Sequence, residues 1–286
     1  MASVGRVPAD PLAPLLELPG VAEAVAGARR DVDALLGHRV LRRRSAEVTA
    51  ESALRGARAS AQLEGAGIEL ERLRGQLMSG STVEPHSRDP RAGAVVQAAV
   101  RLHADLGQVL PAWRRSPAQA LAKLHVVAAA DLVDDPDALG RPRPVGAVYE
   151  DPLGLGPAPD PLEVSARLDG LSRVLLATRV PAVVVAGVVH GELLALRAFG
   201  VADGLVARAA ARLVLVDRGL DPKAVSAPEV GHVELEHEYA EAARAYVSGR
   251  RAGLVHWLEH CARAVGLGAL EGRAVCEALV RETPRV

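Results

Sequence analysis

The chain has 286 residues, 49% of them apolar but only 2% aromatic, with 34 Lys and Arg against 35 Asp and Glu for a net charge of −1. That length permits one or two domains, and a core built from Leu, Val and Ala favours close helix packing over a sheet. The near-neutral balance excludes the basic footprint of a nucleic-acid binder, and Cys261 and Cys276, 15 apart with no CxxC, exclude a disulfide framework or a structural zinc site.

In chain order, residues up to Leu18 carry three prolines and read as a loose lead-in. Val21 to Leu36 repeats apolar residues at helical spacing. The run Arg42, Arg43, Arg44 then reads as a solvated helix end. A longer helix is predicted from Ser45, as N-cap, to about Leu63, with Gly65 as its stop. Pro85 to Pro90 breaks the pattern. Two helices follow, Arg91 to Leu110 and Pro117 to Leu132, the second started by Ser116 before Pro117. Residues 134 to 160 are dense in Pro and Gly; within them Pro144 to Tyr149 is the best strand candidate, which predicts a small hairpin in a loop. Helices resume over Asp160 to Leu176, Pro181 to Phe199 and Asp203 to Val216. After the Asp221-Pro222 turn, three more are expected near Glu234 to Val247, Leu254 to Val265 and Leu270 to Val280. No internal period points to a solenoid. The N-terminus has no apolar secretory segment, and no uncharged run reaches the ~18 residues of a membrane span. A reducing cytoplasm is the expected compartment, with no membrane and no nucleic-acid partner.

Two segments stand out together: Ser60-Ala61-Gln62-Leu63-Glu64-Gly65, and the stretch from His190 through Arg197-Ala198-Phe199-Gly200-Val201-Ala202-Asp203-Gly204-Leu205-Val206-Ala207-Arg208. The first resembles the inhibitory helix of the Fic family (Fido domain), (S/T)xxxE(G/N), and matches it at Ser60, Glu64 and Gly65. The second occupies the place of that family's active-site stretch, HPFx(D/E)GNGRxxR. Leu121 to His125 with Gly140-Arg141 resembles the approach to the family's target-binding flap, Pro157 to Leu171 the helix after it, and Ala240 to Leu258, with Trp257, the later helix pair. The resemblance covers about residues 45–265. It implies an all-α, Fic-like helical bundle with one small β-hairpin flap. Residues 1–44 would pack on it as lead-in and helix, and 266–286 as a C-terminal helix.

Members of that family typically move AMP from ATP to a protein hydroxyl. The motif histidine is the general base, the Asp/Glu holds Mg²⁺, and the Gly-Asn-Gly turn offers N–H groups to phosphate. Laid on that pattern without a gap, Arg197 stands at the histidine. A guanidinium keeps its proton in proteins, so Arg197 is expected to be inert as a base. Val201 replaces the metal-binding acid, Ala202 the first glycine, Asp203 the asparagine and Leu205 the first arginine. Phe199, Gly204 and Arg208 remain. Asp203 is expected to cap its own helix, filling the anion site with its carboxylate. A register shifted by two residues would place Asp203 on Mg²⁺ but lose Phe199 and both arginine positions; the ungapped one is preferred. Glu64 and Arg208 are expected to form a buried ion pair, a plain internal salt bridge in the simplest reading and retained autoinhibition in the functional one.

Other signals are weaker. His190, seven residues before Arg197, faces the same side of one helix; a satisfied core histidine is its expected role rather than a displaced base. His256 to His260 spells HxxEH, with no distant third ligand. His232 to Glu238 reads as a solvated segment, and Trp113-Arg114-Arg115 as a helix terminus. Gly200, Gly204 and Gly219 form no dinucleotide fingerprint.

These readings lead to a degenerate Fic-like protein acting as a binding or regulatory module. Arg197 would be its inert catalytic position, Asp203, Gly204 and Arg208 its phosphate region, and Ser60, Glu64 and Gly65 its inhibitory element. No metal site is expected. ATP with Mg²⁺ is the cofactor that the resemblance implies, and a protein or peptide at the flap the partner. The alternative is an active adenylyltransferase with altered catalytic residues. A third reading is a structural partner in a complex, which could be a homo-oligomer.

Overall fold

The computed structural model describes residues 10–147, 149 and 151–282. After a 3-10 turn at Ala13–Glu17, the elements are α1 Val21–Leu36, α2 Ser45–Leu63, α3 Leu70–Ser79, α4 Ala92–Arg115, α5 Pro117–Ala129, α6 Pro161–Ala177, α7 Ala182–Leu196, α8 Asp203–Asp217, α9 Pro228–Glu234, α10 Glu236–Val247 and α11 Arg251–Glu282. Buried apolar side chains from Leu18 to Cys276 join a single hydrophobic cluster, so the segments flanking residues 45–265 share the core of what lies between.

The centre of that core is α7, apolar on every face and buried over nearly its whole length, as a helix enclosed by others must be. Gly187 and Gly191 leave notches on it. A Cβ at Gly191 would lie 2.7 Å from Trp257 Nε1 and 2.9 Å from the Tyr246 ring. Trp257 on α11 uses the space to donate to Gly187 O at 2.7 Å. Helix α8 packs on α7, α4 on α5, and the long α11 on α1, α7, α9 and α10.

Several boundaries differ from the sequence reading, each for a local reason. Ser45 is the first helical residue rather than the cap, and Arg44 in the N-cap position makes no side-chain cap bond. Pro111 is carried inside α4, which continues to Arg115. Helix α7 stops at Leu196, three residues early, because Arg197 turns left-handed (φ 42°, ψ 54°). Helix α3 was not expected at all; of its residues only Leu73 is buried. The two helices expected at the C-terminal end are one, α11. There Gly266 and Gly268 make close packing contacts instead of breaking the helix: a Cβ would meet Asp31 Oδ2 at 2.8 Å and the Ala227 carbonyl carbon at 2.5 Å.

The hairpin is absent: among the described residues no strand forms, and Val148 of the strand candidate lies outside them. Pro144 has no N–H to give a ladder. Arg143 donates its own N–H to Ala198 O (2.8 Å), and Ala147 N closes a turn on Pro144 O (3.2 Å). The flap segment is therefore an irregular loop tied to the α7–α8 connection.

Candidate functional site

Helices α2, α4, α7 and α8, with Tyr149 and residues 151–155, enclose a cleft of 280 Å³. Leu63, Val95, Leu132, Leu153 and Leu155 give it apolar walls, and its polar end is made by Glu64, Arg197, Asp203, Gly204 and Arg208. Sequence positions 60–65 and 197–208 thus converge here.

The α2 wall is knitted to α8 by one buried guanidinium. Arg208 donates Nε to Ser60 Oγ (2.8 Å), Nη2 to Ser60 O (3.1 Å) and Nη2 to Glu64 Oε1 (2.6 Å). Its side chain is only 2% exposed. Glu64 also leans over the first turn of α8: a Cβ on Gly204 would sit 2.1 Å from Glu64 Oε1. The Glu64 carboxylate therefore lies at the positive end of the α8 dipole, where free N–H groups attract an anion. Gly65 follows at φ 79°, turning the chain away from α2.

On the opposite wall, the connection from α7 to α8 carries three left-handed residues, Arg197, Gly200 and Ala202. Asp203 holds this loop. Its Oδ1 accepts from Phe199 N (3.0 Å) and its Oδ2 from Gly200 N (2.7 Å). This corrects the expected self-capping. Asp203 is the first helical residue, Ala202 takes the N-cap position, and the carboxylate points back to the loop instead of forward to its own helix. The space over the first turn of α8 is occupied by Glu64 instead. Burial pushes the Asp203 carboxyl up to about 7, against the two N–H donors that favour its charge. Phe199 stacks on the His125 ring, centroids 4.1 Å apart. Burial takes the His125 imidazole down to about 4.

Arg197 is 5% exposed. Its guanidinium lies over the Tyr149 ring (5.0 Å) and pairs with Asp151 Oδ1 (3.3 Å). Arg143 covers the same ring, also at 5.0 Å, and its Nε and Nη2 donate to Arg197 O (2.9 Å) and Pro159 O (2.5 Å). Tyr149 thus faces two cations. Asp151 in addition accepts from Leu155 N and Gly156 N at 2.8 and 2.9 Å. Arg143, Tyr149 and Asp151 were not singled out from sequence. The Asp151-Pro152-Leu153-Gly154 turn signal could have flagged the last; for Arg143 there is no signal.

His190 lies outside the cleft, 1% exposed, with Nε2 2.9 Å from Tyr239 Oη, and burial holds it well below the usual histidine range. His232 belongs to the same buried cluster, its Nδ1 3.0 Å from His260 Nε2, so the segment from His232 is not wholly solvated. In the HxxEH string His260 is fully buried. Among the described residues no group of three or more His, Cys, Asp or Glu could hold a metal ion, and no helix is long and apolar enough to cross a membrane.

Neither a family model nor a curated protein matches the sequence. Solved structures do. A Fic family protein from Desulfovibrio desulfuricans superimposes with a TM-score of 0.67 at 21% identity, over 90% of this chain and 75% of that one. Fic-1 from C. elegans gives 0.68 at 15% identity, over 93% and 75%. A Fic domain containing signaling protein from Bacteroides thetaiotaomicron gives 0.57 at 12%, over 92% and all of that chain. The chain has the Fic fold.

In this Fic-fold protein the carboxylates of the cleft are already engaged: Glu64 on Arg208, Asp89 on Arg91 N (2.8 Å), Asp151 on Arg197, and Asp203 on two backbone N–H groups. Val201, which also lines the cleft, has no side-chain oxygen to offer a metal. These residues do not fit a Mg²⁺ ion.

Proposed function

We propose that this Fic-fold protein binds an anionic ligand of the nucleotide class in its cleft without transferring AMP, and serves as a binding or regulatory module. One observation carries the reading. The side chain at the family's histidine position is Arg197, a permanent cation packed on Tyr149 and paired with Asp151. It cannot take a proton from an attacking hydroxyl, and losing a general base costs about 10²–10⁴ in rate. The ungapped register behind this assignment is supported by Ala202, which has φ 57° where the Fic pattern has its first glycine. Gly204, the first-glycine position in the shifted register, is helical. Arg208 and the first turn of α8 supply the anion contacts once Glu64 moves aside.

Calorimetry with ATP and ADP, each with and without Mg²⁺, tests the proposal together with labelling of candidate proteins by tagged ATP. Weak binding that is indifferent to Mg²⁺ and tightens in Glu64→Ala, with no labelling, is the expected result. Robust Mg²⁺-dependent labelling overturns it.

One observation favours the second reading, an active adenylyltransferase. Asp203 lines the cleft and has a carboxyl pushed up to about 7, near the ideal for proton transfer at neutral pH. That reading requires labelling abolished by Asp203→Asn.

A further inference from the structure

The contact between α2 and α8 extends well beyond the cleft. Ser52, Gly56, Ser60 and Glu64 follow one another at four-residue spacing and so share one face of α2. Arg212, Arg208 and Gly204 do the same, in the opposite sense, on α8. Ser60 and Glu64 receive Arg208, as described. One turn further from the cleft, Arg212 Nη2 donates to Ser52 Oγ (2.9 Å), and Ser52 Oγ donates to Ser226 O (2.7 Å). Arg212 Nη1 donates to Glu229 Oε2 (3.0 Å), Arg212 Nη2 to Ala224 O (3.1 Å), and His103 Nε2 lies 3.2 Å from Glu229 Oε1. The side chains of Arg212, Glu229 and His103 are 2–3% exposed. Burial drives the Glu229 carboxyl up, but the Arg212 charge and His103 prevail and hold it well below the usual carboxylate range.

This charged knot is seated in a notch at Gly56. A Cβ there would lie 2.5 Å from Arg212 Nη1, 2.9 Å from Glu229 Oε2 and 3.0 Å from His103 Nε2. These atoms are side-chain ends, but Arg212 Nη1 and Glu229 Oε2 hold each other, and Arg212 is further fixed by Ser52 and Ala224, which braces that side of the notch. Long guanidiniums, rather than interdigitated apolar side chains, span the space between α2 and α8. The register of such a contact is set by where the arginines are received.

We infer that the Arg212–Glu229–His103 knot is a remote positioning lock: seated at Gly56, it fixes α2 lengthwise against α8 and thereby holds Glu64 over the first turn of α8. Arg212 and Glu229 are positioning residues that act through Glu64. Loosening the knot lets the last turn of α2 slide, weakens Glu64 on Arg208 and Gly204, and opens the anion seat from two helical turns away. This inference rests on reading the cleft as an anion site, which the experiment tests separately.

The experiment compares wild type, Gly56→Ala, Ser52→Ala, Glu64→Ala and the Gly56→Ala/Glu64→Ala double variant, by hydrogen exchange over residues 60–66 and by calorimetry with ATP. Gly56→Ala is expected to speed exchange over 60–66 and to tighten ATP by roughly 3- to 30-fold. In the Glu64→Ala background the same substitution should add nothing to ATP affinity, because its route runs through Glu64. Ser52→Ala, which removes only a hydroxyl, should move both readouts in the same direction and carries the test if Gly56→Ala does not fold. Unchanged exchange at 60–66 in a folded variant overturns the lock. So does an ATP effect of equal size with and without Glu64. If even Glu64→Ala takes up no ATP, the anion reading of the cleft fails, while the exchange result still decides whether the knot positions α2.

Discussion

On the α2 side of the cleft, Ser60, Glu64 and Gly65 stand where the Fic pattern has them, and Arg208 meets the first two at 2.8 and 2.6 Å. On the α7–α8 side, Arg197, Val201, Ala202, Asp203 and Leu205 all depart from that pattern. The two walls differ in what their side chains touch. Arg208 is enclosed by Ser60, Glu64 and Tyr239, so any exchange there removes a partner of a buried charge. Several positions of the opposite wall face the cleft, and their family roles concern a ligand instead of the fold. What persists on that side is what packing needs: Phe199 on His125 and a left-handed backbone at residue 202. Arg197 itself has acquired packing partners in Tyr149 and Asp151. One wall is thus held by the packing of Arg197 on Tyr149 and Asp151, the other by the hydrogen bonds of Arg208.

The largest effect expected from this contrast lies behind the knitted wall. Glu229→Leu strands Arg212 in the core and should lower unfolding free energy by about 3–5 kcal/mol, read by denaturant unfolding. A loss under 1 kcal/mol would show that the buried pair is not holding the helices. Next comes Glu64→Ala. Arg208 keeps Ser60 and Tyr239 as partners and Glu64 is partly exposed, so the loss should be about 1–3 kcal/mol. If Glu64→Ala leaves stability unchanged, the two walls do not differ in the way described.

The same contrast explains what was legible in the sequence. Of the helices with one apolar stripe and clear breakers, α1 was read to the residue and α2 to within one. The ion pair of Glu64 with Arg208 was reachable because a family pattern linked positions 144 apart. The knot was not: Arg212 meets Glu229 17 residues away and Ser52 160 away, and no local pattern joins them. His190 was read as a core histidine, but buried His232 and His260 escaped for a related reason. His232 lies in a run of charged residues that reads as solvated, and only the packing of α9 against α11 encloses it. Asp203 was correctly placed at a helix start, but its side-chain direction depended on Phe199 and Gly200 offering free N–H groups behind it. The hairpin failed because periodicity cannot reveal that a strand candidate has no partner.

Acidification should set the buried histidines against Asp203. Buried His190 and His232 are held well below the usual range, and His260 and His125 are taken down to about 4. Each of these depressed values adds stability that is present above about pH 6.5 and is lost as pH falls towards the folded pKa. Asp203 has the opposite sign. Its folded value, about 7, exceeds its unfolded 3.8, so its contribution is full in acid and is lost as pH rises through 7. Four histidines outweigh one carboxyl, and the melting temperature should fall from pH 7 to pH 5. Asp203→Asn removes the opposing component. Its melting temperature relative to wild type should be most favourable at pH 8 and should worsen steadily to pH 5. A difference that is flat with pH would mean that Asp203 titrates as an ordinary carboxyl.

The smallest effect expected is a gain, at Ala202. A left-handed backbone costs a residue with a Cβ about 1–2 kcal/mol. Glycine would lift that cost but bring a more flexible unfolded chain, worth about 0.4–1 kcal/mol in the other direction. Ala202→Gly should therefore stabilise the protein by roughly 0.5–1 kcal/mol, measurable as a shift in denaturant midpoint at unchanged m-value. The substitution restores the glycine of the Fic pattern without restoring a base at 197 or an acid at 201. Stability should rise, and under the proposed reading no tagged-ATP labelling should appear. A destabilised Ala202→Gly would mean that residue 202 is not held left-handed in solution, and with that the shape of the α7–α8 wall, and the register that places Arg197 at the histidine, would have to be redrawn.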